Sequence, residues 1–354
     1  MKALSGIAVR AVAAAVPTDI ARTQDYEYLT PEERHRFQKA TGIASRRIVV
    51  DGQCASDLCI AAARNVLDHL DWPPASVGAL ILITQTGDQP VPATSIVIQE
   101  KLGLPQSCVA FDVNLGCSSY PYGLAIIGSM MQSLGIGRAL LLIGDVSSRV
   151  CAKHDKSSWP LFGDAGSATA LELDDRAPPI HLDLMSDGSG KDAIIIPGGG
   201  LASKRPPPDD GAVQLEAGAD GTLRRPDNLI LRGADIFSFA ISKVPPSIRR
   251  AMDAGGRTSS EIDFLVLHQA NKMINDTIAK KLGFSAEKVP TSIEHYGNTS
   301  SASIPVTLCT NPDLFGETRT VAVSGFGVGL SWGSAVLQLP ANSVLACVES
   351  NATY

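Results

Sequence analysis

Three side chains in this sequence could do chemistry together. Cys117 follows the apolar segment SCVAFDVNLG and opens the helix-like stretch SSYPYGLAII. A thiol at the start of a helix meets free backbone N–H groups and the positive end of the helix dipole, so a lowered pKa is expected. Asn298 follows Gly297 and opens a second Ser-rich stretch, and His268 closes the apolar run DFLVL. Taken singly, a cysteine is commonly a small buried hydrophobe and a histidine a packed ring. Their placement relative to one another argues otherwise.

That placement comes from an internal repeat with an offset of about 180 residues. ASVGALILITQT (75–86) parallels SSEIDFLVLHQAN (259–271), SCVAFDVNLGCSSYPYG (107–123) parallels KVPTSIEHYGNTSSASI (288–304), and RALLLIGDVSS (138–148) parallels TRTVAVSGFGVGLS (318–331). Cys117 and Asn298 occupy the same place in the two copies, and His268 has its counterpart at Thr84. Strand ends related by such symmetry converge on one point, which assembles a nucleophile, a base or donor, and an amide.

The elements that position them read as alternating strands and helices, hence α/β architecture. SDLCIAAARNVLDHL (56–70) is expected to be a helix with Ser56 as N-cap. Its counterpart, 234–255, carries Pro245–Pro246, which should kink or restart the helix. The repeat reads KVPTSIEHYGNTSSASI (288–304) as a strand, a Gly and then a Ser-rich helix start. The apolar N-terminus MKALSGIAVRAVAAAVP reads as a strand and not a signal peptide. Two similar halves, 1–177 and 178–354, are expected, the second bearing an irregular Gly/Pro/Asp-rich cap over 186–228 near the site mouth with Pro206–Gly211 at the surface.

Composition narrows the alternatives. With 354 residues, 44% hydrophobic and 19% charged, the chain can bury a large core. A net charge of −6 gives no basic field for nucleic acid. The longest apolar runs, Ala79–Ile83 and Ala139–Ile143, are far too short for a membrane span. Seven cysteines without a Cys-x-x-Cys pair make a disulfide framework or zinc site unexpected and suit a reducing cytoplasm. No metal or cofactor is expected. GFGVGLSWG (325–333) lacks the early strand–loop–helix setting of a dinucleotide loop.

Several segments carry a family resemblance: ATGIASRRI (40–48), DVNLGCSSYPYGL (112–124), LFGDAGSATALE (161–172), the SDGSG and IPGGG segments, LHQANKMI (267–274) and YGNTSSASIPV (296–306). Through them the chain resembles ketoacyl-synthase III, the initiating condensing enzyme of the thiolase superfamily, nearly end to end. The resemblance implies a five-layer αβαβα fold with two pseudo-twofold-related halves, and a homodimer. It implies a decarboxylating Claisen condensation, in which an acyl group on Cys117 is joined to a malonyl-type thioester. Acyl carrier protein is the implied partner, with acyl-coenzyme A as a possible donor. His268 and Asn298 would hold the enolate, and the N–H groups of Cys117 and Val328 the oxyanion. Phe326 would cover the departing carboxylate, and Asn271 would bind a water or the pantetheine arm.

Departures from the family pattern fall on specificity. Arg36 and Ala40 stand where the family carries a Trp and an Arg that flank adenine, and Lys156 replaces a second Arg, so adenine stacking is weakened. Met273 stands where a basic residue is usual, which shifts the expected carrier-docking patch. Val328 replaces a glycine, and Val91 replaces a Phe that reaches into the partner's acyl pocket. Leu161, Phe162, Leu231 and Phe237 are the expected remaining pocket walls. Two rivals stand beside condensation: acyl transfer to oxygen or nitrogen on the same fold, and a catalytically silent subunit.

Overall fold

The structure, a computed structural model, describes residues 2–202, 215–217 and 221–354. Two sheets carry the same internal strand order. In the first, Ile7–Val16, Ala165–Leu173, Arg138–Asp145, Ala79–Ile83 and Val109–Val113 are neighbours in that sequence. In the second, Ile180–Ser186, Ser331–Leu339, Arg319–Gly327 and Phe264–Leu267 repeat it, one strand short. Each sheet borrows its outermost strand from the other end of the chain. Lys2–Leu4 pairs antiparallel with Ile180–Leu182, and Val348–Glu349 pairs parallel with Ala15–Val16. The expected first strand is therefore two strands in two sheets, and the division at 177/178 is crossed twice.

Helices make the other three layers of the five-layer αβαβα fold. Ser119–Leu134 and Ser303–Cys309 lie between the sheets, and their apolar faces meet both in the largest hydrophobic cluster. Ala55–His69 covers the outer face of the first sheet, with Thr94–Lys101 beside it. Gly233–Ala254 and Lys272–Leu282 cover the second. Ala79–Ile83 is buried along its whole length, as a parallel strand covered on both faces must be.

Three local expectations are corrected. The helix at Ala55–His69 takes Cys54 as its N-cap, whose N–H is held by the Asp57 carboxylate at 2.8 Å, and Ser56 lies inside it. Gly233–Ala254 is one helix through Pro245–Pro246 and does not restart there. Pro245 removes the donor for the Ile241 carbonyl, and the Lys281 ammonium supplies another at 2.9 Å from the neighbouring helix. The segment 288–292 forms no strand, since Pro290 cannot donate to a ladder and the Gln269 side chain accepts from Thr291 Oγ1 and Ser292 N instead.

Candidate active site

Cys117 and His268 sit where a strand gives way to a loop or helix, and Asn298 follows the short helix Ile293–Tyr296. Cys117 follows Val109–Val113 after the three residues Asn114, Leu115 and Gly116 and precedes the central helix Ser119–Leu134. His268 extends the parallel ladder of Phe264–Leu267, its backbone N–H donating to Ser324 O at 2.8 Å. Asn298 is clamped to the other half of the molecule: its N–H donates to Leu161 O at 2.9 Å, and its carbonyl accepts from Gly163 N at 3.0 Å.

Glycines allow this approach. A Cβ on Gly163 would stand 2.1 Å from the Tyr296 carbonyl oxygen, and one on Gly297, at φ +64°, 2.8 Å from the Leu161 oxygen. A Cβ on Gly327 would meet Cys117 Sγ at 2.8 Å, so the 325–328 strand end lies directly over the thiol.

The three side chains line one cavity of about 180 Å³. Asn298 Oδ1 accepts from Ser300 N at 2.9 Å, which leaves its NH₂ group to donate into the cavity. His268 Nδ1 lies 2.6 Å from Ser303 Oγ, and its ring stands edge-on to Phe326 with centroids 5.4 Å apart. Ser303 is buried with its hydroxyl against Nδ1, and a hydroxyl donating there places the ring proton on Nε2. Burial pushes the imidazole pKa down to about 3, with a backbone hydrogen bond to Ser300 opposing, so the ring is neutral at physiological pH.

The expected lowering of the thiol pKa is corrected. Cys117 is only 8% exposed. Its burial pushes the thiol up to about 11, against the downward pull of the Val328 N–H, its own N–H and Ser300. The resting group is a thiol, and the N–H pair lies at its sulfur. Ser300 itself adopts φ +49°, a strained conformation of the kind found at functional sites.

Phe326, Asn271, Val328, Leu161, Phe162 and Leu231 also lie on the cavity wall. Asn271 caps the helix Lys272–Leu282, its Oδ1 accepting from Ile274 N at 2.8 Å. Ile194 and Ile196, from the cap segment, complete the apolar side of the mouth. A buried ion pair between Arg224 and Asp155, at 2.8 Å, ties that segment to the turn preceding Leu161. Pro206–Gly211 lie outside the described residues.

One expected wall residue lies elsewhere. Phe237 packs in the outer core, and Ile236 takes its place on the wall, because the helix starting at Gly233 turns that neighbour inward. Lys156 is exposed and paired with Glu33 at 3.0 Å. Val91 is 80% exposed and away from its own chain's cavity. Sequence reasoning missed Gln85, Asp145, Ser147, Ser300 and Ser303. Asp145 closes the first half onto the second, accepting from Thr84 Oγ1 and Gln85 N with one oxygen and from Ser301 N with the other. Its position at the end of the Arg138–Asp145 strand, level with the other site-bearing strand ends, was the available signal.

Comparison with known proteins points one way. The family profile 3-oxoacyl-[acyl-carrier-protein] synthase III matches residues 111–188, and its C-terminal counterpart matches residues 252–339. A β-ketoacyl-[acyl-carrier-protein] synthase III of Natranaerobius thermophilus is 31% identical over 95% of this chain and 100% of its own. One from Agrobacterium fabrum is 32% identical over 93% of this chain and 98% of its own. The crystal structure of a 3-oxoacyl-(acyl-carrier protein) synthase from Burkholderia xenovorans superposes with a TM-score of 0.91 at 35% identity, covering 99% of this chain and 98% of that one.

Proposed function

Because the chain belongs to the 3-oxoacyl-[acyl-carrier-protein] synthase III family, transferases of the thiolase fold, we propose that it joins an acyl group on Cys117 to a malonyl-type thioester with loss of carbon dioxide, in fatty acid or polyketide synthesis. One observation carries this reading: a buried thiol, a neutral imidazole and the donor edge of an amide share one cavity.

The steps follow from those groups. Cys117 sulfur attacks the acyl thioester, and its proton ends on the departing thiol. N–H groups of Cys117 and Val328 stabilise the oxyanion. In the second half-reaction the malonyl carboxylate leaves as carbon dioxide, its C–C bond pair passing into an enolate. His268 Nε2–H and Asn298 NH₂ donate to that enolate oxygen. Neutrality of the imidazole suits a hydrogen-bond donor that keeps its proton. Phe326 gives the departing carboxylate an apolar wall, which favours the neutral product over the charged group. The enolate carbon attacks the acyl carbonyl, and collapse expels Cys117 as a thiolate that regains a proton. Asn271 would then hold a water or the pantetheine arm at the mouth.

The donor is an acyl thioester of carrier protein or coenzyme A, the working form a homodimer of cytoplasmic chains, with halves 1–177 and 178–354. No cofactor is required by these steps. The test is intact-protein mass spectrometry with acyl thioesters, followed by malonyl thioester and carbon dioxide measurement. An adduct on Cys117, absent in Cys117→Ala, and stoichiometric carbon dioxide are expected. His268→Ala and Asn298→Ala should retain the adduct and lose carbon dioxide release. An adduct without carbon dioxide in the wild type would indicate plain acyl transfer, and no adduct with any donor a silent subunit.

A further inference from the structure

We propose that the acyl group loaded on Cys117 carries a hydroxyl or amino substituent, read by Ser147 and Gln85; this rests on the cavity being the acyl site. Ser147 is 5% exposed and lies on the cavity wall with Cys117. Its carbonyl accepts from Val150 N at 3.2 Å, but its hydroxyl enters no hydrogen bond among the described residues. The adjacent Ser148 differs: it donates to Asp164 from both its N–H, at 2.9 Å, and its hydroxyl, at 2.6 Å. Nor is the Ser147 hydroxyl sealed in the core, as those of Ser95 and Ser301 are. It opens onto the cavity.

Gln85 supplies a complementary group. Its side-chain nitrogen makes one long bond, 3.3 Å to Asn114 Oδ1, and its Oε1 accepts none. That oxygen lies beside Gly116, where a Cβ would meet it at 2.4 Å, next to the nucleophile in the chain. Thr86, on the same wall, has no such freedom: its hydroxyl donates to Asp145 and accepts from Val146 N. Gln85, Thr86 and Val150 also wall a second cavity of about 460 Å³, which carries Gln53, Asp88 and Arg149. The cavity is thus two-sided, aliphatic at Ile194, Leu229 and Leu231 and polar from Ser147 through Gln85.

A hydrocarbon acyl group would displace water from the buried Ser147 hydroxyl and give nothing back, while Gln85, exposed at the rim, offers its oxygen to a polar substituent. A hydroxyl substituent donates to Gln85 Oε1 and accepts from Ser147, and an ammonium donates to both oxygens. A site with unpaired polar groups discriminates against the analogue lacking the partner.

The experiment compares length-matched coenzyme A thioesters: butanoyl against 3-hydroxybutanoyl, 4-hydroxybutanoyl and 4-aminobutanoyl. The readout is the rate of acyl adduct formation on Cys117 by mass spectrometry of the full-length protein. At least one substituted donor should load about tenfold faster than butanoyl. In Ser147→Ala and Gln85→Met that ratio should fall towards one, with circular dichroism and thermal unfolding reporting that each variant is folded. Adducts at equal rates across the panel, or a preference that survives both substitutions, overturn the proposal alone. Absence of any adduct overturns both this proposal and the reading of the site on which it rests.

Discussion

At the scale of single residues, burial opposes the reactivity that the site needs. The Cys117 thiol stands at about 11, so only a small fraction is ionised at neutral pH. Its alkylation by iodoacetamide should therefore rise about tenfold per unit between pH 7 and pH 9, as the thiolate fraction does. A rate that is level from pH 7 upward would show that the helix end overrides burial. His268 is tuned in the opposite sense and stays uncharged across that range. Its hydrogen-bond partner is the place to perturb it. Ser303→Ala should lower carbon dioxide release by about tenfold or more while leaving Cys117 acylation nearly intact. A ¹⁵N spectrum of the ring should lose its single-tautomer signature at the same time, and an unaltered spectrum would remove Ser303 from the account.

At the scale of elements, the site depends on a contact between halves and not on any one helix. The Leu161–Gly163 segment holds Asn298 by two backbone hydrogen bonds, and only glycine at 163 lets the Tyr296 carbonyl come so near. Gly163→Ala forces a Cβ into that oxygen. The expected result is a loss of about 1–3 kcal/mol in chemical denaturation, the usual range for overpacking, with condensation falling further than acylation because Asn298 moves and Cys117 does not. Equal loss in both half-reactions would mean that the segment supports the whole cavity and not Asn298 in particular.

At the scale of the molecule, the exposed Val91 raises the question of what it meets. It projects from the loop between Ala79–Ile83 and Thr94–Lys101, clear of its own chain's cavity. The expectation is that it enters the cavity of a second copy. Light scattering should then give a dimer, and Val91→Phe should narrow the donor range towards acetyl, since a packed slot discriminates by roughly 1–3 kcal/mol per methylene. Identical donor profiles in the two proteins, or a monomer that condenses at full rate, would remove Val91 from chain-length selection.

The α/β class, the repeat and the convergence of Cys117, His268 and Asn298 on one cavity were legible in the sequence, because periodicity and symmetry are local or relational properties that the order of residues carries. The matched strand ends at 84 and 268 and the paired positions 117 and 298 needed no coordinates. What each group experiences was decided by tertiary packing. The thiol pKa turned on how completely other elements cover Cys117, which a helix-start argument leaves out. The Ile241 carbonyl that Pro245 leaves without a donor is met by Lys281 from another helix, a contact the local sequence does not carry. Phe237 and Ile236 are adjacent in sequence, and only the rotation of their helix decided which faces the cavity. Ser147, Ser300 and Ser303 look alike among many serines in the sequence, and their distinction is a matter of which partners the fold gives or withholds.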